Sequence, residues 1–158
     1  MLPSVYNNAM QLFQTPDYVV ILNEMVHDAR IVPLDGRTHL PPKLLQWMGD
    51  SRGHWDGATL VIETTNFTEK TSSFDPAATF GLGTGEALHL TERFTRLDED
   101  TLLYEYTVDD PSTFARPFTV ALPMQKLDQP VFEYACHEGN YGLLNILRGA
   151  RVDEARQP

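Results

Sequence analysis

Short segments rich in Val, Ile, Thr, Tyr and Phe recur between turn signals along most of the chain, and apolar residues at helical spacing are scarce. Such a pattern constrains the fold to be mainly β. The segments 18–25 (YVVILNEM) and 29–35 (ARIVPLD) read as neighbouring strands, with Pro33 marking an edge or a bulge. The stretch GHWDGATLVIETTNF reads as a hairpin that turns at Asp56-Gly57, a pair suited to the left-handed conformations of tight turns. Two long strands then flank the acidic run LDEDT at 97–101, which reads as a solvated tip, and FARPFTVALPMQK and PVFEYAC supply the last two strands.

The intervening segments are loops. The proline pair in PPKLLQWMGDSRG predicts one helical turn over 43–48, and 68–86, with much Ser, Thr, Gly and Pro, predicts a long loop of the kind that forms lids. Its GLGTG does not lead from a strand into a helix, so a phosphate cradle is disfavoured. A closing helix is predicted over 141–150, with Leu143, Leu144 and Leu147 on one face. About eight strands joined in sequence predict one domain over residues 1–158, an antiparallel meander closed into a lipocalin-like barrel, with a short C-terminal helix. A cone-shaped α+β domain is the alternative, but it wants N-terminal helices that the sequence does not clearly offer.

With a length of 158 residues, 42% apolar residues and 10% aromatic ones, the chain suits one folded domain. A formal charge of −10 argues against a nucleic-acid or anionic-membrane partner, since phosphate binding needs a basic face. No apolar run approaches membrane-spanning length, and the first residues lack the pattern of an export signal, so a soluble chain of undetermined compartment is expected. Cys136 is the single cysteine, which excludes an intrachain disulfide and a paired-cysteine zinc site. No His-x-His or His-Glu-x-x-His spacing occurs, so no metal and no cofactor are expected.

Residues suited to chemistry fall into four groups. Alternation places Glu92 with Leu88, Leu90 and Phe94 on one strand face, and Tyr104 and Tyr106 with Leu102 and Val108 on the next. An inward Glu92 would be a buried carboxylate, either a proton-transfer group or a structural partner of an arginine or a tyrosine. The second group is HDARIVPLDGRTH, which brings His27, Arg30, Asp35, Arg37 and His39 into one hairpin and its exit. There an arginine at a pocket mouth can grip a carboxylate and an aspartate can orient a histidine. A surface salt-bridge network would use the same residues.

The third group is EYACHEGNY, read as the final strand and its turn, in which His137, helped by Glu138 and Tyr141, is the rim candidate. Cys136 points opposite to His137 in an extended strand, so a Cys-His nucleophilic pair is disfavoured. Fourth, Trp47 and Trp55 bracket MGDSRGH and would wall a pocket for a flat ligand or plug the end of a barrel. Gly49-Asp50-Ser51-Arg52-Gly53 formally matches a nucleophile elbow but has no predicted helix behind it.

The pieces QTPDYVVIL, LDGRTH, WMGDSRGHWDG and LHLTERF, over roughly residues 14–122, together resemble a family of uncharacterised bacterial proteins with the pattern W-x-G-x-S-x-G-x-W-x-G. The ending EYACHEGNY is similar to that of one branch. Ala58 stands where an acid is common in that family, and Phe118 where a tryptophan is usual. The resemblance implies export for many members and no settled reaction.

Taken together, these residues lead to the expectation of a β-barrel enzyme that carries out cofactor-independent acid-base chemistry on a small organic molecule, of isomerase, cyclase or lyase type. Glu92 or His137 would move the proton, while Tyr106, Arg30 and His39 complete the set. A carrier of the same fold without turnover is the alternative, and a homodimer through a strand edge or the last helix is a third reading.

Overall fold

The computed structural model describes residues 9–24, 28–69, 85–132 and 138–156. Eight strands and one helix occur among them: β1 (Met10–Gln14), β2 (Tyr18–Asn23), β3 (Ala29–Pro33), β4 (Asp50–Asp56), β5 (Thr59–Thr65), β6 (His89–Arg96), β7 (Thr101–Asp109), β8 (Phe118–Gln125) and α1 (Gly142–Glu154). They form two antiparallel meanders, β1-β2-β3 and β4-β5-β6-β7-β8. Among the described residues no ladder joins the two sheets, so the mainly β architecture is as expected while a closed eight-stranded barrel is not formed by hydrogen bonding.

The strand patterns explain the sheets. In β6 and β7 burial alternates along the chain, so Leu90, Glu92 and Phe94 face the same interior as Tyr104, Tyr106 and Val108. A slip of either strand by one residue would turn its three towards solvent, which fixes the pairing Glu92↔Tyr106 and Phe94↔Tyr104. From the smaller sheet, Val19, Ile21 and Val32 join this core, with Leu60, Ile62 and Phe67 from and just beyond β5. Each large apolar side chain so buried contributes roughly 1.5–3 kcal/mol. Phe94 stacks on Tyr104 with ring centroids 4.7 Å apart.

Two features bring the sheets together. Gly53 in β4 lies against β3 and the residue that follows it, where a Cβ would sit 2.9 Å from Val32 Cγ1 and 2.7 Å from Leu34 Cδ2, so a larger residue would force these side chains to shift. Arg30 of β3 reaches Glu92 of β6 across the interior.

Three local expectations change. β1 was not foreseen, its pairing with β2 being the signal that sequence alone lacks. Residues 43–48 make separate tight turns and a bridge between Gln46 and Phe67 instead of a helical turn, because the Gln46 N–H donates to Asn66 at 2.8 Å. The expected last strand has no strand structure at 130–132, and its remainder, with Cys136, lies outside the described residues. The 56–57 hairpin forms as read, with Gly57 at φ 61°. No helix among the described residues is long and apolar enough to cross a membrane.

Candidate functional site

The sequence-selected residues separate into three places. In the core, Arg30 Nη2 donates to Glu92 Oε1 at 2.9 Å, Arg30 Nη1 donates to Oε2, and the Tyr104 hydroxyl donates to Oε1 at 2.9 Å. All three side chains are buried. Burial alone would lower the Arg30 pKa, but the Glu92 charge and its hydrogen bonds outweigh that and raise it. The Tyr104 phenol is pushed up, first by burial and then by the neighbouring carboxylate, and so stays a donor. Arg30, expected at a rim, is thus an interior clamp: both Glu92 oxygens are engaged, while Arg30 Nε is buried without a partner among the described residues.

Tyr106 is buried beside this clamp, its ring 5.5 Å from that of Tyr104, and burial raises its pKa. Phe94 is core, as its strand face predicts. The polar groups meant for a cavity are therefore consumed in packing and in one another.

A second place lies on the loop between β3 and β4. His39 Nδ1 is 2.9 Å from Asp50 Oδ2. That same oxygen accepts from the Leu40 N–H at 2.9 Å, and Asp50 Oδ1 pairs with Arg52 Nη1 at 2.7 Å. Asp50 is buried, whereas the His39 side chain is 29% exposed. A carboxylate only accepts, so Nδ1 is the donor to Asp50, and in the neutral ring the lone pair lies on Nε2. Arg52 in turn donates to the carbonyls of Thr38 at 3.1 Å and Ser51 at 2.7 Å, tying the loop to β4.

The loop is held there by residues chosen for backbone reasons. Asn66, at φ 59°, donates from its amide to the carbonyls of Leu40, Pro41 and Leu44 at 3.0–3.2 Å. Gly49 has φ 68°, and a Cβ there would lie 2.6 Å from Thr64 Cγ2 and 2.7 Å from the Thr65 carbonyl. Glycine is therefore required immediately before Asp50. Ser51 bonds Thr64 Oγ1 at 2.9 Å inside the sheet, which excludes the nucleophile-elbow geometry.

The remaining candidates stand apart. Asp35 and Arg37 form an exposed pair, and Arg37 Nε lies 2.8 Å from Asp35 Oδ1; the hydrogen bonds from Arg37 lower the Asp35 pKa. Trp47 and Trp55 are exposed, one ahead of β4 and the other near its far end, so they do not share a wall. Glu138 and Tyr141 are exposed. His27 and His137 lie outside the described residues. No group of three His, Cys, Asp or Glu able to hold a metal occurs among the described residues.

Asp50 and Arg52 were not singled out from the sequence as partners of His39. The only signal was an acid and a base on alternate positions of a short strand just beyond the loop, which cannot reveal an eleven-residue closure. No family model matches the chain, and no curated protein or solved structure matches it.

Proposed function

We propose that the protein is an enzyme that moves a proton on a small organic molecule without a cofactor, as in isomerisation, cyclisation or elimination, and that His39 is the group that moves it. The observation carrying this reading is the 2.9 Å contact of His39 Nδ1 with buried Asp50, which leaves the other ring nitrogen free at a partly exposed position. Nε2 takes a proton from substrate carbon, the imidazolium is stabilised by Asp50, and the proton returns to a different atom or to the leaving group. Glu92 takes a structural part in this reading, since Arg30 and Tyr104 occupy its oxygens.

Arginine fixes the aspartate as the aspartate fixes the histidine, so the relay is oriented before substrate arrives. Deuterium exchange in heavy water tests it, using a panel of small enolisable ketones and acids followed by proton NMR. The wild-type protein washes out the acidic C–H signal of at least one compound, and His39→Gln does not. Equal exchange by both proteins refutes the assignment of His39.

A carrier without turnover is the second reading. It is favoured by one observation, the complete pairing of Glu92 inside the core, which leaves that carboxylate no free oxygen for chemistry. Ligand-induced shifts in the NMR spectrum with no exchange for any bound compound would select it.

A further inference from the structure

The outer face of the larger sheet begins at the His39 site. Ser51, Thr64, Leu90 and Val108 are buried on the inner face, so their neighbours Asp50, Thr65, His89 and Asp109 lie on the outer one. Register sets these four in one row across β4 to β7. Asp50 pairs with Thr65, the ladder that pairs Thr64 with Leu90 brings Thr65 opposite His89, and His89 pairs with Asp109. With neighbouring strands about 4.8 Å apart, the backbone of His89 is about 10 Å from that of Asp50. His39 joins the row at its β4 end through Asp50.

A base that takes a proton from carbon leaves charge on the neighbouring carbonyl oxygen, which needs a donor. The donors beside His39 are already committed. Arg52 turns its guanidinium to Thr38, Ser51 and Asp50, the Leu40 N–H goes to Asp50, and the Thr65 hydroxyl donates to Asn66. An ionised Asp109 only accepts. The half-buried side chain of His89 has no hydrogen bond or ion pair among the described residues, and a neutral imidazole carries one N–H. Around it, Asp109 in this row and Glu63 in the next are carboxylates without an ion pair among the described residues.

We propose that His89 is the electrophilic partner of His39, that the substrate lies over Thr65 between the two rings, and that it is a small uncharged ketone or aldehyde. This rests on the reading of His39 as the base. His39 Nε2 takes the proton from the α-carbon, the C–H electron pair becomes the C=C bond of an enolate, and the carbonyl π pair moves to oxygen. The His89 N–H donates a hydrogen bond to that oxygen, and the His39 imidazolium then returns a proton to carbon. Glu63 and Asp109 repel a carboxylate, which leaves uncharged carbonyl compounds as the class admitted.

Ring-nitrogen NMR of the ¹⁵N-labelled full chain and deuterium washout in heavy water test this together. The probes are cyclopentanone, butanone and propanal, with levulinate as the charged control. At least one neutral probe shifts the His39 and His89 ring signals along a single saturation curve, and levulinate shifts neither. At saturating probe, His89→Leu slows washout about 100-fold with affinity changed only slightly, and His89→Gln, which keeps an N–H, recovers part of the rate. Unchanged amide spectra away from the row separate a lost contact from lost folding. Neutral probes that leave the His89 ring unmoved overturn the inference. Washout that is lost in His39→Gln but unaltered in His89→Leu also overturns it, while the His39 reading stands. A probe that moves both rings without washout defeats the base assignment and keeps the shared site. Levulinate acting like the neutral probes overturns the uncharged class.

Discussion

Replacing Glu92 with Gln keeps the shape of the side chain and removes its charge, leaving the Arg30 guanidinium buried without a counter-charge. Arg30 and Glu92 side chains are 5% and 1% exposed, so water cannot take the place of the lost partner. The amide oxygen can still accept, but the amide nitrogen would face the other guanidinium N–H groups. Breaking one side of a buried, bidentate pair costs about 3–5 kcal/mol. Against a total stability of roughly 5–15 kcal/mol for a domain, this is a large share. For a chain of this size it lowers Tm by about 6–20 °C.

Tyr104→Phe removes one donor to a carboxylate that keeps both arginine contacts, so a smaller loss of about 1.5–3 kcal/mol is expected. The triple change Arg30→Met/Glu92→Leu/Tyr104→Phe removes every charge and every stranded hydroxyl together, and its stability returns towards that of wild type. Urea unfolding followed by far-UV circular dichroism, with the slope checked for constancy, measures all of these. A Glu92→Gln loss below about 1 kcal/mol would refute the clamp as a desolvated pair. A triple variant no more stable than Glu92→Gln would refute the claim that stranded charge, and not lost packing, sets the penalty.

Two further outcomes follow from backbone geometry and titration. Gly49→Ala forces a Cβ to within 2.6 Å of Thr64 at positive φ and should cost more than about 1–2 kcal/mol, with displacement of the adjacent Asp50 seen as changed NMR shifts of His39. Asp110 is buried, which alone would raise its pKa, but hydrogen bonds from Ser112 and Thr113 prevail and lower it. A depressed carboxylate contributes stability that is present above its unfolded pKa of ~3.9 and is lost as pH falls through the folded value. Asp110→Asn should therefore be less stable than wild type at neutral pH, and the difference should shrink below about pH 4 in urea titrations, whereas a constant gap would count against the linkage.

The sequence carried the strand content because side-chain period reports burial directly. Glu92, Phe94, Tyr104 and Tyr106 were placed on the interior faces that they occupy. Alternation gives a side chain's face but not its partner, so Arg30 reads as a rim residue although the fold brings it to Glu92, 62 positions further along the chain. The dyad was half legible: His39 was selected, but Asp50 became its partner only because Asn66 and Gly49 shape the loop. Asp35, nearer in sequence, is taken by Arg37 at the surface. Barrel closure was illegible for a similar reason, since pairing between β8 and β1 depends on geometry accumulated over two meanders.

The state of the His39 ring is the most direct test of the account. Two-bond proton–nitrogen NMR of the uniformly ¹⁵N-labelled protein reports which ring nitrogen carries the proton, and Asp50→Asn supplies the control. The account predicts a protonated Nδ1 and an unprotonated Nε2 in wild type at mildly alkaline pH, with the preference weakened in Asp50→Asn. A wild-type ring protonated on Nε2, or one unaffected by Asp50→Asn, would contradict the assignment of His39 as an oriented base.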